Sequence, residues 1–396
     1  MNQCIRELAT PCYILDKEEF VKSITGFRSA LDTSFSESVI GYSVKTNSLP
    51  YCLCVARDEG CYAEVVSADE YELALQCGFD KKRIIYNGPM KSRESFLDAI
   101  INGAIVNLET HRELEWLKEL PVSKQYSVGL RLNVNITRVS PEDADGDNDN
   151  SRFGFSDETE DFRNALGIIE DLQNVKLAGL HIHRTAHSRS TKFYRNSIKY
   201  ACKTIHKYGL SLDYIDVGGG FFGIFPNKPT YQDYVDIFNY ALKEHHLDGL
   251  RIIVEPGNAL VASCFSFFSE VIDVKHIEKD RWFITTDGSR NDVDPLFHKT
   301  AYLSEFLTSA NGVVVDEQVV SGCTCLEFDR LFTLKNQPLL SVGDRILYKN
   351  VGAYTMCLSP LFIRYFPSVF VLENGEYRLI RNKWTASDYI QKAVLK

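Results

Sequence analysis

The chain has 396 residues, 44 lysines and arginines against 53 aspartates and glutamates, a net charge of −9 and 44% hydrophobic residues. This length allows one large α/β domain plus a smaller partner, and an acidic balance without a basic stripe argues against nucleic acid as a ligand. No apolar run is long enough to span a membrane, MNQCIRELATP lacks a secretory apolar core, and the eleven cysteines form no regular framework. Together these predict a reduced, cytoplasmic enzyme acting on a small molecule.

In chain order, TPCYILD (10 to 16) alternates like a strand and is expected to join a β domain completed much later in the chain. Eight β-branched segments follow: VIGYSV (39 to 44), YAEVVS (62 to 67), RIIYNG (83 to 88), AIVNLE (104 to 109), VGLRLNV (128 to 134), LAGLHIH (177 to 183), YIDVGGG (214 to 220) and RIIVEPG (251 to 257). Amphipathic stretches such as SADEYELALQCG, KSRESFLDAIING, THRELEWLKEL and RNSIKYACKTIHKYG separate them, with capping residues at their starts and glycine at several ends. Serial βα units predict a closed parallel (β/α)8 TIM barrel over residues 28 to 265, with its active site at the C-terminal ends of the strands. From about residue 266 the pattern turns to strands without long helices, as in FSFFSEVIDVKHI, RWFITTDG, GVVVDEQVV and DRILYKN. Residues 1 to 27 and 266 to 396 are therefore expected to form a β domain, a sandwich or barrel-like fold.

Three motifs invite readings that their context does not support. PEDADGDNDN (141 to 150) carries five acidic residues but lacks glycine at the sixth ligand position and the flanking helix pair of a calcium loop, so it reads as a solvated connection. Cys323 and Cys325 form a C-x-C pair with no second pair at zinc spacing, and no metal is predicted. GGGFFG (218 to 223) matches a dinucleotide fingerprint, yet IFPNKP follows it where a helix should open.

The chemistry-bearing residues fall at predicted strand ends. Lys45 follows the first barrel strand, His183 ends the sixth, Gly218, Gly219 and Gly220 end the seventh, and Glu255 ends the eighth. Alternation puts His181 and His183 on one face, where with His187 they are either metal ligands or, for His183, a ring stacked on a flat cofactor. A lysine, a glycine phosphate cradle, a flat-ring partner and a carboxylate together point to pyridoxal 5'-phosphate. Lysine forms the Schiff base, and a carboxylate beside the pyridine nitrogen keeps it protonated as an electron sink.

YSVKTNS, EVVSADE, RFGF, LHIH, DVGGG, EPGN, SGCTCLEFDRL and GAYT, in this order, resemble the fold-type III pyridoxal phosphate decarboxylases, the group of ornithine, arginine and diaminopimelate decarboxylases with an alanine racemase-like barrel. The resemblance implies a head-to-tail homodimer whose β domains contribute to active sites at the subunit interface. It implies that Lys45 is the Schiff-base lysine, His183 stacks on the ring and Glu255 binds the pyridine nitrogen. Gly218, Gly219, Gly220, Gly257, Asn258 and Tyr354 would hold the cofactor, Cys325 would protonate Cα from the partner chain, and Leu326 and Asp329 would face the substrate. Without the resemblance, Cys325 reads as a buried small apolar residue.

Four departures bear on the substrate. Asn258 stands where the family usually has arginine, and Ala186 replaces a phosphate-binding serine for which Thr185 or Ser188 would compensate. Leu326 follows Cys325 where ornithine and diaminopimelate enzymes place an acid, and Asp294 replaces a carboxylate-binding arginine. Charged distal groups would be left unpaired, so an amide-linked or otherwise conjugated amino acid is expected rather than free ornithine, lysine or diaminopimelate. The alternatives are a pyridoxal phosphate-dependent racemase, disfavoured because such racemases pair the pyridine nitrogen with arginine, and a catalytically inactive regulatory homologue.

Overall fold

The computed structural model describes residues 3–146, 150–184, 186–278, 281–308 and 313–394. They form two compact units, one of residues 21–260 and one of residues 1–20 with 261–396. The division lies earlier than the expected 27/28 and 265/266 because a helix, Lys17–Asp32, opens directly after the first strand. Beyond its first turn this helix packs on the barrel unit, where Phe27 stacks on Tyr231 at 4.6 Å.

In residues 21–260, eight parallel strands close into a barrel: β2 Ser38–Ser43, β3 Tyr62–Ser67, β4 Ile84–Met90, β5 Ile105–Leu108, β6 Tyr126–Arg131, β7 Val175–His181, β8 Tyr214–Asp216 and β9 Arg251–Val254. Closure is made by β2 on β9, with Val39 opposite Ile253. Val39, Ile85, Ala178, Tyr214 and Ile253 form a buried cluster, each large apolar side chain contributing about 1.5–3 kcal/mol by leaving water. The helices start on caps legible in the sequence: Ser67 accepts from the Glu70 amide, Ser92 from Ser95 and Ser190 from Phe193. Gly209, at φ +61°, ends the helix Thr191–Tyr208.

Six of the strands stop short of their expected ends, β6 to β9 by two or more residues. The last ladder pair of β7 and β8 is His181 with Asp216, and the Ile182 amide donates once more to the Asp216 carbonyl at 2.8 Å. Gly218, at φ +68°, then turns the chain away. His183 and the three glycines therefore lie in loops, and Glu255 follows β9 by one residue.

In the other unit β1, Cys12–Asp16, pairs antiparallel with β10, Phe265–Glu278, and parallel with β16, Ser368–Glu373, so TPCYILD joins the C-terminal sheet. With β11 Arg281–Thr286, β12 Ser304–Leu307, β13 Val314–Ser321, β14 Arg330–Pro338, β15 Arg345–Lys349 and β17 Glu376–Arg381 this makes a nine-stranded mixed sheet. The sheet branches at β10, which bonds to β1 and β15 through its first half and to β11 through its second. Among the described residues no helix is long and apolar enough to cross a membrane.

Candidate active site

At the C-terminal mouth of the barrel a cavity of about 340 Å³ is lined by Lys45, Glu64, Asn87, Arg131, His181, His183 and Glu255, among others. Lys45 sits in a short 3-10 turn, Val44–Thr46, directly after β2. Its Nζ lies 2.5 Å from Oε2 of the buried Glu64, which also accepts from Ser43 Oγ at 2.6 Å.

Behind these groups runs a directional hydrogen-bond network. Tyr214 OH donates to Asn107 Oδ1 at 2.9 Å. Asn107 Nδ2 donates to Asn87 Oδ1 at 2.9 Å and to Asp216 Oδ2 at 3.1 Å. Asn87 Nδ2 donates in turn to Glu64 Oε1 at 3.2 Å and to Glu255 Oε1 at 2.5 Å. Asp216 Oδ1 accepts the Gly218 amide at 3.0 Å. Burial, then the neighbouring Glu255 carboxylate, raise the Asp216 carboxyl well above the usual carboxylate range.

His183 Nδ1 accepts the Gly219 amide at 3.0 Å, and its carbonyl accepts from Arg131 Nη2 at 3.0 Å. Arg131 is itself ion-paired with Glu109. A Cβ on Gly218 would come within 2.3 Å of His183 Nδ1, and one on Gly257 within 2.0 Å of Thr46 Oγ1. Only glycine lets these backbones approach so closely. His181 is buried with neither ring nitrogen hydrogen-bonded, its Nε2 lying 3.6 Å from Glu255 Oε2. Burial, then Arg131, hold both His181 and His183 well below the usual imidazole range, so both rings are neutral at pH 7.

The three histidines do not converge. His181 and His183 stack at 6.3 Å, whereas His187 is exposed and pairs with Asp145 at 3.0 Å. In the acidic segment, of which residues 147–149 lie outside the described residues, the others are exposed or half-buried, and Asp143 accepts from Ser140 Oγ at 2.8 Å and from Ser190 and Ser188. Ser188 is thereby turned to Asp143, Ala186 is buried, and Thr185 lies outside the described residues.

In the β unit, Cys325 is exposed rather than buried, and Leu326 is partly covered. Asp329, expected to face the substrate, is buried and accepts from the Thr324 amide and hydroxyl and from the Arg290 amide, pinning the loop that carries both cysteines. Asp294 is likewise taken up by Arg290, Tyr302 and the amides of His298 and Lys299. Tyr354 adopts φ +55° and is 41% exposed.

Residues 19–262 match the family model described as "Pyridoxal-dependent decarboxylase, pyridoxal binding domain". The chain belongs to this family. It is 28% identical to the Oryza sativa subsp. japonica protein named "Probable diaminopimelate decarboxylase, chloroplastic", over 96% of this chain and 79% of that one. It is 25% identical to the "L-glutamyl-[BtrI acyl-carrier protein] decarboxylase" of Niallia circulans, over 97% and 94%. The diaminopimelate decarboxylase crystal structure from M. jannaschii shares the fold at TM-score 0.85 and 22% identity, covering 98% of this chain and 93% of that one.

Pyridoxal phosphate is the family's cofactor, and the residues fit it. The cavity carries a lysine at one wall and a carboxylate at another, His181 has buried nitrogens without hydrogen bonds, and the glycine backbones leave room for nothing larger beside His183 and Thr46. Of the residues singled out in the sequence, Lys45, His183 and Glu255 line the cavity, while Glu64, Asn87, Asn107, Arg131 and Asp216 were not singled out. Their signal was present: each is a polar residue within a largely apolar barrel strand, in YAEVVS, RIIYNG, AIVNLE, VGLRLNV and YIDV.

Proposed function

We propose that this pyridoxal phosphate-dependent carboxy-lyase removes the α-carboxyl group, as carbon dioxide, from an amino acid whose distal end is masked by conjugation. The observation that carries the substrate reading is Leu326: it follows Cys325 where an acid would grip a distal ammonium, and the nearby Asp329 is committed to its own loop. A desolvated pocket without that acid disfavours a free diamine strongly. The Niallia circulans relative supports the same class, since an L-glutamyl group on a carrier protein is an amino acid held through an acyl bond.

Bound pyridoxal phosphate supplies the electron sink for the pair of electrons left when carbon dioxide departs. In this reading Lys45 Nζ holds the cofactor covalently and is oriented by Glu64, 2.5 Å away. The His183 ring, fixed by the Gly219 amide, supports the cofactor face. Glu255 keeps a proton at the ring nitrogen, and Gly218, Gly219, Gly220, Gly257, Asn258 and Tyr354 serve the phosphate. Cys325, exposed on its loop, is the acid that returns a proton to Cα, reaching the site of a second copy in a homodimer. Exposed Tyr354, Leu358, Leu361, Phe362 and Ile363, all within one short segment, support an interface between copies.

The test is carbon dioxide release by cofactor-loaded enzyme from free diamino acids, from their N-acylated forms and from glutamyl groups on a carrier. Turnover on conjugated substrates with little on free ornithine, lysine or diaminopimelate is expected. Robust turnover on a free diamino acid overturns the substrate reading.

A further inference from the structure

The barrel interior contains one carboxyl contact that its amide donors do not bridge. Asn107 uses one amide hydrogen on Asn87 and the other on Asp216; Asn87 uses its two on Glu64 and Glu255. A carboxamide has two hydrogens, so neither amide has one left. The Gly218 amide is also engaged, by Asp216 Oδ1. Yet oxygen atoms of the Asp216 and Glu255 carboxyls lie within 4.8 Å of each other and of a His181 ring nitrogen. Two ionised carboxylates packed this closely and acceptor-only repel strongly away from water, and a proton on one of them turns the repulsion into attraction.

Among the described groups around this contact, the one uncommitted donor is the N–H of the neutral His181 ring, whose Nε2 lies 3.6 Å from Glu255 Oε2, beyond hydrogen-bond distance. Glu64 on β3 adds negative charge, Tyr214 on β8 has its hydroxyl on Asn107, and His181 on β7 has no hydrogen bond at either nitrogen. The cations acting on this space are committed to other acids, Lys45 to Glu64 and Arg131 to Glu109. Asp216 and Glu255 are both buried, at 0% and 4% exposure, so water does not screen the pair.

We propose that Asp216 and Glu255 share a single proton, and that Asp216 is thereby the positioning residue that holds the Glu255 carboxyl in place for the cofactor. The proton arrangement is a property of the chain alone, while its catalytic consequence rests on the proposed assignment of Glu255 to the ring nitrogen. Asp216 in its protonated form accepts from Asn107 and Gly218 and donates to Glu255. The raised Asp216 carboxyl accords with this. Asparagine at 216 can still donate to Glu255 but cannot accept from Asn107 on the same atom; alanine does neither.

Infrared spectra of the apoenzyme, with and without carboxyl-13C aspartate and glutamate, test the proton directly. At pH 9, where Glu70, pushed up to about 7 by burial, is ionised, wild type is expected to keep a protonated-carboxyl C=O band that moves in D2O. Its intensity should fall by one carboxyl in Asp216→Asn and in Glu255→Gln, each checked for native circular dichroism. No such band in labelled wild type, or a band unchanged in both folded variants, overturns the shared proton. In loaded enzyme, Asp216→Ala should lower kcat at least tenfold with little change in cofactor affinity, and Asp216→Asn should recover part of that loss and shift the alkaline limb of the pH profile. Equal kcat losses and unshifted profiles in the two variants overturn the positioning role. If instead Glu255→Gln retains full turnover while the infrared band behaves as expected, the shared proton stands and the assignment of Glu255 to the ring nitrogen fails.

Discussion

The ammonium of Lys45 lies 2.5 Å from the Glu64 carboxylate, on the neighbouring barrel strand, and Glu64 is nearly solvent-free at 1% exposure. A strand-end lysine on the surface would be solvated; this one is aimed into the barrel mouth by a buried acid. Borohydride reduction of cofactor-loaded enzyme is therefore expected to fix the label to the peptide containing Lys45, and Lys45→Ala to lose it. In Glu64→Gln the same peptide should still be labelled, with turnover reduced because the amine is less well oriented. Peptide mapping by mass spectrometry decides, and a label on another lysine contradicts the assignment.

Glu255→Gln keeps the shape and the hydrogen bond from Asn87 but removes the negative charge. Turnover is expected to fall by about 10²–10³, the range for losing one preorganised electrostatic partner, with cofactor affinity changed far less. Steady-state kinetics beside a cofactor titration separate the two effects.

At position 326, replacing Leu326 with Asp introduces the acid that ornithine and diaminopimelate enzymes place there. Cofactor loading should be unaffected and activity on free ornithine or lysine should rise above its wild-type trace. A loss of all activity on conjugated substrates without any gain on free ones would speak against the pocket wall argued above.

Mixing provides a test of Cys325. Lys45→Ala and Cys325→Ala chains, each inactive alone, give on random exchange half mixed dimers with one intact site apiece if Cys325 serves the other copy, so about a quarter of wild-type activity returns. Demonstrated subunit exchange without recovery would place Cys325 elsewhere.

Glu70 gives stability a pH dependence of known sign. Burial lifts its carboxyl from the usual 4.5 to about 7, against the bond it accepts from the Val66 amide at 2.8 Å. The folded chain then binds more protons than the unfolded chain between those values, so this group's contribution is full below about 4.5 and is lost as pH rises through 7. Glu70→Gln should flatten that part of the stability curve, read by chemical denaturation at pH 5 and pH 8.

The barrel was legible because βα alternation, capping serines and helix-ending glycines are local signals: YAEVVS is a strand and SADEYELALQ a helix whatever lies around them. The alternation in TPCYILD likewise marked β1. Lys45, Glu255 and the DVGGG glycines stood out because a chemically versatile or permissive residue at a predicted strand end is a local signal, and the ordered motifs carried a family resemblance. Where strands stop was not legible, since β8 ends at Asp216 only because Gly218 adopts a positive φ against the histidine loop. Nor was the pairing of side chains separated by many residues. Asn87 reaching Glu255 across 168 positions, or Asp329 closing on Thr324, depends on which inward positions barrel closure and loop turns bring within 3.2 Å. Residue type alone sets what a buried carboxylate needs; three-dimensional packing decides whether a lysine, an amide or another carboxyl with a proton supplies it.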